Sequence, residues 1–238
     1  DPAALWRNSP VAVVAVFCVG ISNSAFGTLS AVYADRIGLT LGTIALFASL
    51  PVLAGAISQV PIGMASDRLD RRKVLVVVAI AALGADLAFI LMQPEGLLVN
   101  LALASAFGAT VYAMYPIIVA HANDHAPPGT GIQVSGGLLM IFGAGSIIGP
   151  SLAGFGMTNF GSFGLFATTL VAHALLIGFA LLRIRARAPV TEAEKGSFVA
   201  TPAGRGSTPE TAALALGDGE NAPVEPAGSD VSPESASG

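Results

Sequence analysis

The chain has 238 residues, of which 53% are hydrophobic and only 11% are charged, and its mean hydropathy is +0.73. A soluble domain normally carries about twice that share of charged residues, so the composition excludes an ordinary soluble protein. The net charge of −4 is unevenly distributed, because residues 188–238 hold eight of the fifteen acids and two of the eleven bases. The composition therefore predicts an apolar region followed by an acidic tail.

Long stretches without charge recur along the first part of the chain. A helix needs about twenty apolar residues to cross a bilayer, and the stretches between charged positions reach that length. They predict six spans, at 9–33, 40–65, 73–92, 97–120, 132–157 and 162–183. The first span is too long and too rich in Gly and Ser for the core of a signal peptide. The predicted fold class is all-α, a polytopic bundle of six transmembrane helices within residues 1–187.

The distribution of basic residues predicts the orientation of this bundle. Six spans place both termini on one side, which then carries eight of the nine basic residues in 1–187, with Arg36 on the other side. Positive residues stay cytoplasmic, so we expect both termini in the cytoplasm and the protein in the bacterial inner (plasma) membrane. Residues 188–238, rich in Pro, Ala, Gly, Ser and Glu, are predicted to be a disordered acidic cytoplasmic tail. The single Cys18 excludes an internal disulfide.

A charged segment between the second and third spans carries the first motif. Its key residues are Gly63, Asp67, Arg68, Arg71 and Arg72. Their spacing resembles the loop motif of the major facilitator superfamily, G-x-x-x-D-R-x-G-R-R. The resemblance implies a charge latch that closes the cytoplasmic gate and stabilises the outward-facing state. Asp70 stands where the motif has glycine, and it could instead cap the third helix. A topological anchor without a gating role is the alternative.

A second motif lies in the fifth span, at Gly145, Gly149, Pro150 and Gly154. It resembles the superfamily's G-x-x-x-G-P-x-x-G-G motif, with Ala153 in place of one glycine. Small residues let helix backbones approach closely in lipid, where no hydrophobic force drives helix association. We therefore predict that this motif packs one helix against another.

Three longer stretches specify the resemblance further. The segments "VYADRIGLTLGTIALFASL", "YPIIVAHANDH" and "GSIIGPSLAGFGMTNFGSF" look like the carboxy-terminal half of YcaD-like transporters of that superfamily. The resemblance implies two six-helix halves around a central cavity, which opens to one side of the membrane at a time. It makes this chain helices seven to twelve, and its partner either a missing amino-terminal six-helix half or a second copy. We expect a fragment, with a natural half-size protein as the alternative.

Polar residues within the spans are candidates for a proton or substrate site, because they are costly to place in lipid. The candidates are Asp86, Asn23, Asn100, Tyr112 and Tyr115. Asp86 is a carboxylate deep in the third span and is predicted to carry a proton, with a structural contact to another helix as the alternative. His173, in the sixth span, is predicted to be a helix-packing residue.

The segment "HANDH", His121 to His125, suggests an enzyme as an alternative. Two histidines at this spacing share one helical face, as in zinc proteases, but a third ligand is missing and Pro127 ends the helix. A serine intramembrane protease is a further remote alternative, for which Ser146 lacks the expected glycine context. No Walker or dinucleotide-binding glycine pattern is present. We therefore predict no enzymatic activity, no cofactor and no metal site.

These observations predict a secondary active transporter of a small solute, present as its carboxy-terminal half. The resemblance implies coupling to an ion gradient, with protons the expected ion. The expected partners are membrane lipid, a small-molecule substrate and a second six-helix unit, and no nucleic acid is expected. A non-transporting six-helix scaffold, or a subunit that depends on a partner, is the main alternative.

Overall fold

A computed structural model describes residues 2–127 and 129–186 of the chain. These residues form seven helices: α1 (Pro2–Asn8), α2 (Pro10–Arg36), α3 (Leu41–Arg68), α4 (Arg71–Met92), α5 (Leu97–Asn123), α6 (Gly131–Phe160) and α7 (Gly164–Ala186). Helices α2 to α7 are long and apolar enough to cross a membrane. The predicted all-α bundle of six spans is therefore confirmed. The predicted acidic tail at 188–238 lies outside the described residues.

The six spans begin and end within three residues of their predicted limits. Five of the six run longer than predicted at their carboxy-terminal ends. In α2 and α3 the extension includes a basic residue, which does not stop a helix at that end. Arg36 lies in the last turn of α2 and Arg68 in the last turn of α3, where a cation interacts favourably with the helix dipole. Arg36 Nη1 also donates a 2.7 Å hydrogen bond to the Met157 carbonyl. This bond joins the end of α2 to the end of α6. The short α1 was not predicted.

Helix α2 is the central helix of the bundle and contacts α3, α5, α6 and α7. Its approach to α6 is closest where glycines replace side chains. A Cβ atom at Gly20 would overlap the backbone of Phe142, and one at Gly145 would overlap the Phe17 carbonyl. Helices α3 and α5 approach each other in the same way at Gly55 and Gly108. Close backbone contact of this kind is how helices associate in lipid.

Aromatic rings fill the space between the helices at the centre of the bundle. The Phe89 and Phe166 rings stack with centroids 3.8 Å apart, and the Tyr33 ring meets both edge-on. Phe26 and Phe47 extend the cluster to α2 and α3. Aromatic pairs in these geometries contribute about 0.5–1.5 kcal/mol each beyond the burial of their area. These five rings therefore join four of the six spans.

Helices α3 and α6 are the least covered of the six spans. In their most apolar stretches only 17% and 22% of residues are buried, against 61% in α2. The exposed residues recur every three or four positions, so each helix has one uncovered face. The face of α3 includes Leu53, Ile57 and Val60. The face of α6 includes Met140 and Ile147.

Candidate functional site

The charges at one end of the bundle gather around Arg71, the first residue of α4. Its Nε lies 2.8 Å from Asp124 Oδ2, and its Nη1 lies 3.1 Å from Asp67 Oδ1. A longer contact of 3.5 Å joins Nη1 to Ser66 Oγ. Arg71 therefore connects the end of α3, the start of α4 and the residue that follows α5. We call Asp67, Arg71 and Asp124 the charge cluster.

The two carboxylates of the charge cluster differ in exposure. The side chains of Arg71 and Asp124 are 1% and 3% exposed, whereas that of Asp67 is 36% exposed. A buried charge is tolerated only when it is paired, so Asp124 is the structural counter-ion of Arg71. Asp67 forms an ion pair with the same guanidinium. Asp67 is thus the member of the cluster that a group outside this bundle can reach.

Asp70 caps the amino terminus of α4, as the sequence suggested. Its Oδ1 accepts a 3.0 Å hydrogen bond from the Arg72 backbone N–H, and its carboxylate also binds the Arg72 guanidinium. Burial acts to raise the pKa of Asp70, but the hydrogen bonds and charge of Arg72 outweigh it and the pKa is lowered. A lowered pKa means that the ionised cap stabilises the fold at neutral pH and loses this contribution only on strong acidification.

The other predicted gate residues have different surroundings. Gly63 is buried in α3, and its carbonyl accepts a 2.8 Å hydrogen bond from Ser66 Oγ. Arg68 is exposed and forms no ion pair or hydrogen bond with another residue that the structure describes. The structure therefore brings Asp67 and Arg71 together, places Arg72 on Asp70 and leaves Arg68 outside the cluster. Their role in gating stays a prediction.

Asp124 is the functional candidate that the sequence analysis did not identify. It lies 53 residues from Arg71, and no periodicity links residues so far apart. A usable signal was present, because the predicted topology places the end of the fourth span at the same membrane face as the charged segment. A charge balance for that face would have pointed to Asp124 as a counter-ion.

The two histidines of "HANDH" pack on each other beside the charge cluster. The His121 and His125 ring centroids are 4.6 Å apart, and His125 Nδ1 donates a 2.9 Å hydrogen bond to the His121 carbonyl. Within residues 2–127 and 129–186, no three His, Cys, Asp or Glu side chains are arranged to hold a metal ion.

Asp86 belongs to a second polar cluster, buried between α4 and α7. Thr169 Oγ1 donates a 2.6 Å hydrogen bond to Asp86 Oδ1, and His173 Nδ1 lies 2.7 Å from Asp86 Oδ2. All three side chains are 0% exposed. The sequence analysis placed His173 at a helix contact but did not identify Asp86 as its partner. We call Asp86, Thr169 and His173 the buried polar cluster.

Asn100 was a candidate for the proton or substrate site, but its contacts favour a structural role. The side chain is fully buried, and its Nδ2 donates to the carbonyls of Pro94 and Gly96 at 2.6 and 3.1 Å. Its Oδ1 accepts a 3.4 Å hydrogen bond from Tyr33. Asn100 therefore holds the loop between α4 and α5 against α2.

The remaining candidates for the proton or substrate site lie on α2 and α5. Asn23 is half-buried, and its Oδ1 has no hydrogen-bond partner among the described residues. Tyr112 packs over Gly55, and the Tyr115 ring meets the Phe142 ring edge-on with centroids 5.3 Å apart. Asn23 Oδ1 is therefore a buried acceptor that no described group satisfies.

The predicted packing motif of α6 contains glycines in two different environments. Gly145 and Gly149 lie against the backbone of α2, and a Cβ at Gly149 would overlap the Ile21 carbonyl. Gly154 has open space where a Cβ would lie. Pro150 is inside the helix, between these environments. Gly145 and Gly149 thus form the close contact, whereas the contact does not require glycine at position 154.

Comparison with known proteins identifies relatives of the chain. A family model described as Major Facilitator Superfamily matches residues 12–228. The MFS-type transporter YfkF of Bacillus subtilis (strain 168) is 30% identical over 159 residues, which are 66% of this chain and 39% of YfkF. The MFS-type transporter YcaD of Shigella flexneri serotype 5b (strain 8401) is 26% identical over 157 residues, 65% of this chain and 39% of YcaD. The chain thus spans well under half the length of these relatives.

A solved structure shares the fold. It is described as the crystal structure of an auto-inhibited POT family peptide transporter, and it superposes with a TM-score of 0.64 at 13% sequence identity. The superposition covers 78% of this chain and 38% of the peptide transporter. The six helices are therefore arranged like part of that peptide transporter.

Proposed function

Because the chain belongs to the Major Facilitator Superfamily, we propose that it forms one six-helix half of a secondary active transporter of a small solute. The main support for this proposal is that α3 and α6 each have an uncovered face. The chain spans 39% of its relatives YfkF and YcaD, so each of these has room for a second unit of similar size. A second six-helix unit, from a longer chain or from another copy, covers both faces. Membership of a transporter family also sets aside the protease alternatives.

The end of the bundle that holds the charge cluster faces the cytoplasm in this proposal. Arg7, Arg68, Arg71, Arg72 and Lys73 belong to this end, and positive residues stay on the cytoplasmic side of a bacterial inner membrane. Both described ends of the chain then lie in the cytoplasm.

The charge cluster acts as the gate latch. Arg71 joins the start of α4 to the end of α5 through its contact with Asp124. Asp67 remains partly exposed, so an arginine or a helix amino terminus of the second unit can bind it when the cytoplasmic side closes. These charge-assisted hydrogen bonds favour one access state and break when the two halves rock apart.

The buried polar cluster is the proposed proton site. Asp86 and His173 form an ionisable pair that is shielded from lipid and held in place by Thr169. A carboxylate and an imidazole at hydrogen-bond distance can take up and release one proton with little movement. Buried ionisable groups inside membrane spans mark proton and ion pathways in transporters. Proton uptake at this pair would couple transport to the pH gradient.

The experiment measures proton flux in liposomes that contain the purified protein and a pH-sensitive dye. A panel of small amphipathic and cationic compounds is added as solutes, because the polar groups within the spans suit these better than sugars. The transporter proposal predicts that at least one solute starts proton movement. If no compound in the panel starts proton movement, the six-helix scaffold is favoured instead.

Asp86→Asn separates proton coupling from transport itself. We expect this variant to lose most of the pH-dependent component of solute flux, because an amide of the same shape cannot carry the proton. Thr169→Val is the matched control, since it removes a hydrogen bond in the same cluster and keeps the carboxylate. An Asp86→Asn protein with the full pH dependence of the wild type would refute the proton site.

A further inference from the structure

An open pocket lies at the same end of the bundle as the charge cluster, where α2 begins and α7 ends. The pocket is shallow, with a cavity volume of about 20 Å³. The pocket is lined by Arg72 from the first turn of α4, by His121 and His125 from the end of α5, and by Arg183 from the last turns of α7. Ser9, which precedes α2, completes it. We call these five residues the basic pocket.

The charge balance of the basic pocket is positive. Asp70 neutralises Arg72 through a 3.1 Å ion pair, but the guanidinium of Arg183 has no ion pair or hydrogen bond to any residue that the structure describes. No acidic side chain lines the pocket among the described residues. The end of a helix attracts cations, which accounts for the position of Arg183. It does not account for the position of Arg183 beside Arg72, His121 and His125 in one pocket.

The start of α2 supplies a second, independent indication of a ligand. Ser9 is 3% exposed, lines the pocket, and its Oγ has no hydrogen-bond partner among the described residues. It occupies the N-cap position of a helix of 27 residues but does not cap it through its side chain. A buried hydroxyl without a partner is unfavourable, so this group calls for a bound acceptor. Pro10 has no N–H, so the N–H groups that lack partners at the start of α2 and can attract an anion are those of Val11 and Ala12.

We propose that the basic pocket binds a phosphate group, as carried by the head group of an anionic phospholipid. Arg183 supplies the charge, Ser9 Oγ donates a hydrogen bond, and the amino terminus of α2 adds its partial positive charge. A lipid is the favoured source, because the pocket lies at the ends of spanning helices, where lipid head groups are found. Free phosphate offers the same chemistry from solution. This phosphate site does not depend on transport activity, so its test can fail while the transporter proposal stands.

The test uses the fluorescence of Trp6, the one tryptophan of the chain, which lies three residues before Ser9. Purified, delipidated protein is titrated with phosphatidylglycerol in mixed micelles, with phosphatidylcholine, and with sodium phosphate. We expect saturable binding of phosphatidylglycerol that is tighter than that of phosphatidylcholine. Arg183→Gln should weaken this binding roughly tenfold, because it removes a charge-assisted hydrogen bond. Ser9→Ala keeps every charge and should weaken it about three- to tenfold.

Arg68→Gln is the matched control, since Arg68 is exposed at the same end of the bundle but does not line the pocket. We expect it to leave the affinity nearly unchanged. If Arg68→Gln and Arg183→Gln weaken binding equally, surface charge alone attracts the lipid and the proposal is overturned. Saturable binding of sodium phosphate with the same dependence on Arg183 would support the phosphate site and assign it to a free ligand. Absence of saturable binding to all three probes would also overturn the proposal.

Discussion

Replacing Arg71 by leucine is expected to destabilise the folded protein by about 3–5 kcal/mol, the usual cost of removing one partner of a buried ion pair. The cost arises because Asp124, whose side chain is 3% exposed, would keep its carboxylate in a buried position without its cation. Reversible unfolding of the purified protein in detergent, followed by circular dichroism, measures this loss.

Two further variants separate the structural pair from the latch. The double variant Arg71→Leu/Asp124→Leu removes both buried charges and should recover most of the stability that the single variant loses. Asp67→Ala should cost about 0–1 kcal/mol, because Asp67 is 36% exposed and Arg71 keeps Asp124. The same Asp67→Ala protein should insert normally but transport more slowly. A double variant as unstable as Arg71→Leu would show that Asp124 is not the counter-ion.

Gly149→Ala is expected to destabilise the bundle by about 1–3 kcal/mol, and Gly149→Val by more. A methyl group at Gly149 would meet the Ile21 carbonyl, which is backbone and cannot rotate away. Helices α2 and α6 would have to separate along their most extensive contact. The melting temperature of the purified protein in detergent measures the effect.

Gly154→Ala is the matched control for this prediction. It makes the same substitution in the same helix and the same motif, but the new methyl group would lie in open space. Alanine also has a higher helix propensity than glycine, so Gly154→Ala should be neutral or slightly stabilising. Equal destabilisation by both variants would mean that the motif acts through glycine flexibility rather than through close packing.

The spans were predictable because a bilayer imposes one dominant constraint on sequence. The charge-free stretches from Arg7 to Asp35 and from Arg36 to Asp67 placed the first two spans within three residues of their observed limits. The Asp70 cap was also predictable, because N-capping depends only on residues that are close in sequence. The close contact of α6 followed from its spacing of small residues.

Pairings between distant helices were not predictable in the same way. Asp86 and His173 are 87 residues apart, and neither residue type specifies which neighbouring helix its side chain meets. Arg68 and Arg71 are three residues apart, yet one is exposed and the other is buried. Their difference depends on the end of α5, which brings Asp124 to Arg71. Such contacts are set by the packing of the bundle, which the sequence pattern of a single helix does not encode.

If the chain is one half of a transporter, a second six-helix unit covers α3 and α6. Nitroxide labels attached to cysteines at Ile57, Ile147 or Val77, in a Cys18→Ala background, test this claim in the protein expressed from its complete reading frame, purified and reconstituted in lipid. These three residues are similarly exposed within the chain, at 66%, 78% and 65%. Val77 lies on α4, whose outer face remains in contact with lipid in this account.

Collision with oxygen, which concentrates in the hydrocarbon, is measured for each label by electron paramagnetic resonance. We expect frequent collisions at position 77 and several-fold fewer at positions 57 and 147, because a second unit shields positions 57 and 147 from lipid. Equal oxygen accessibility at all three positions would place α3 and α6 in lipid. That result would contradict the proposal that this chain works as one half of a transporter.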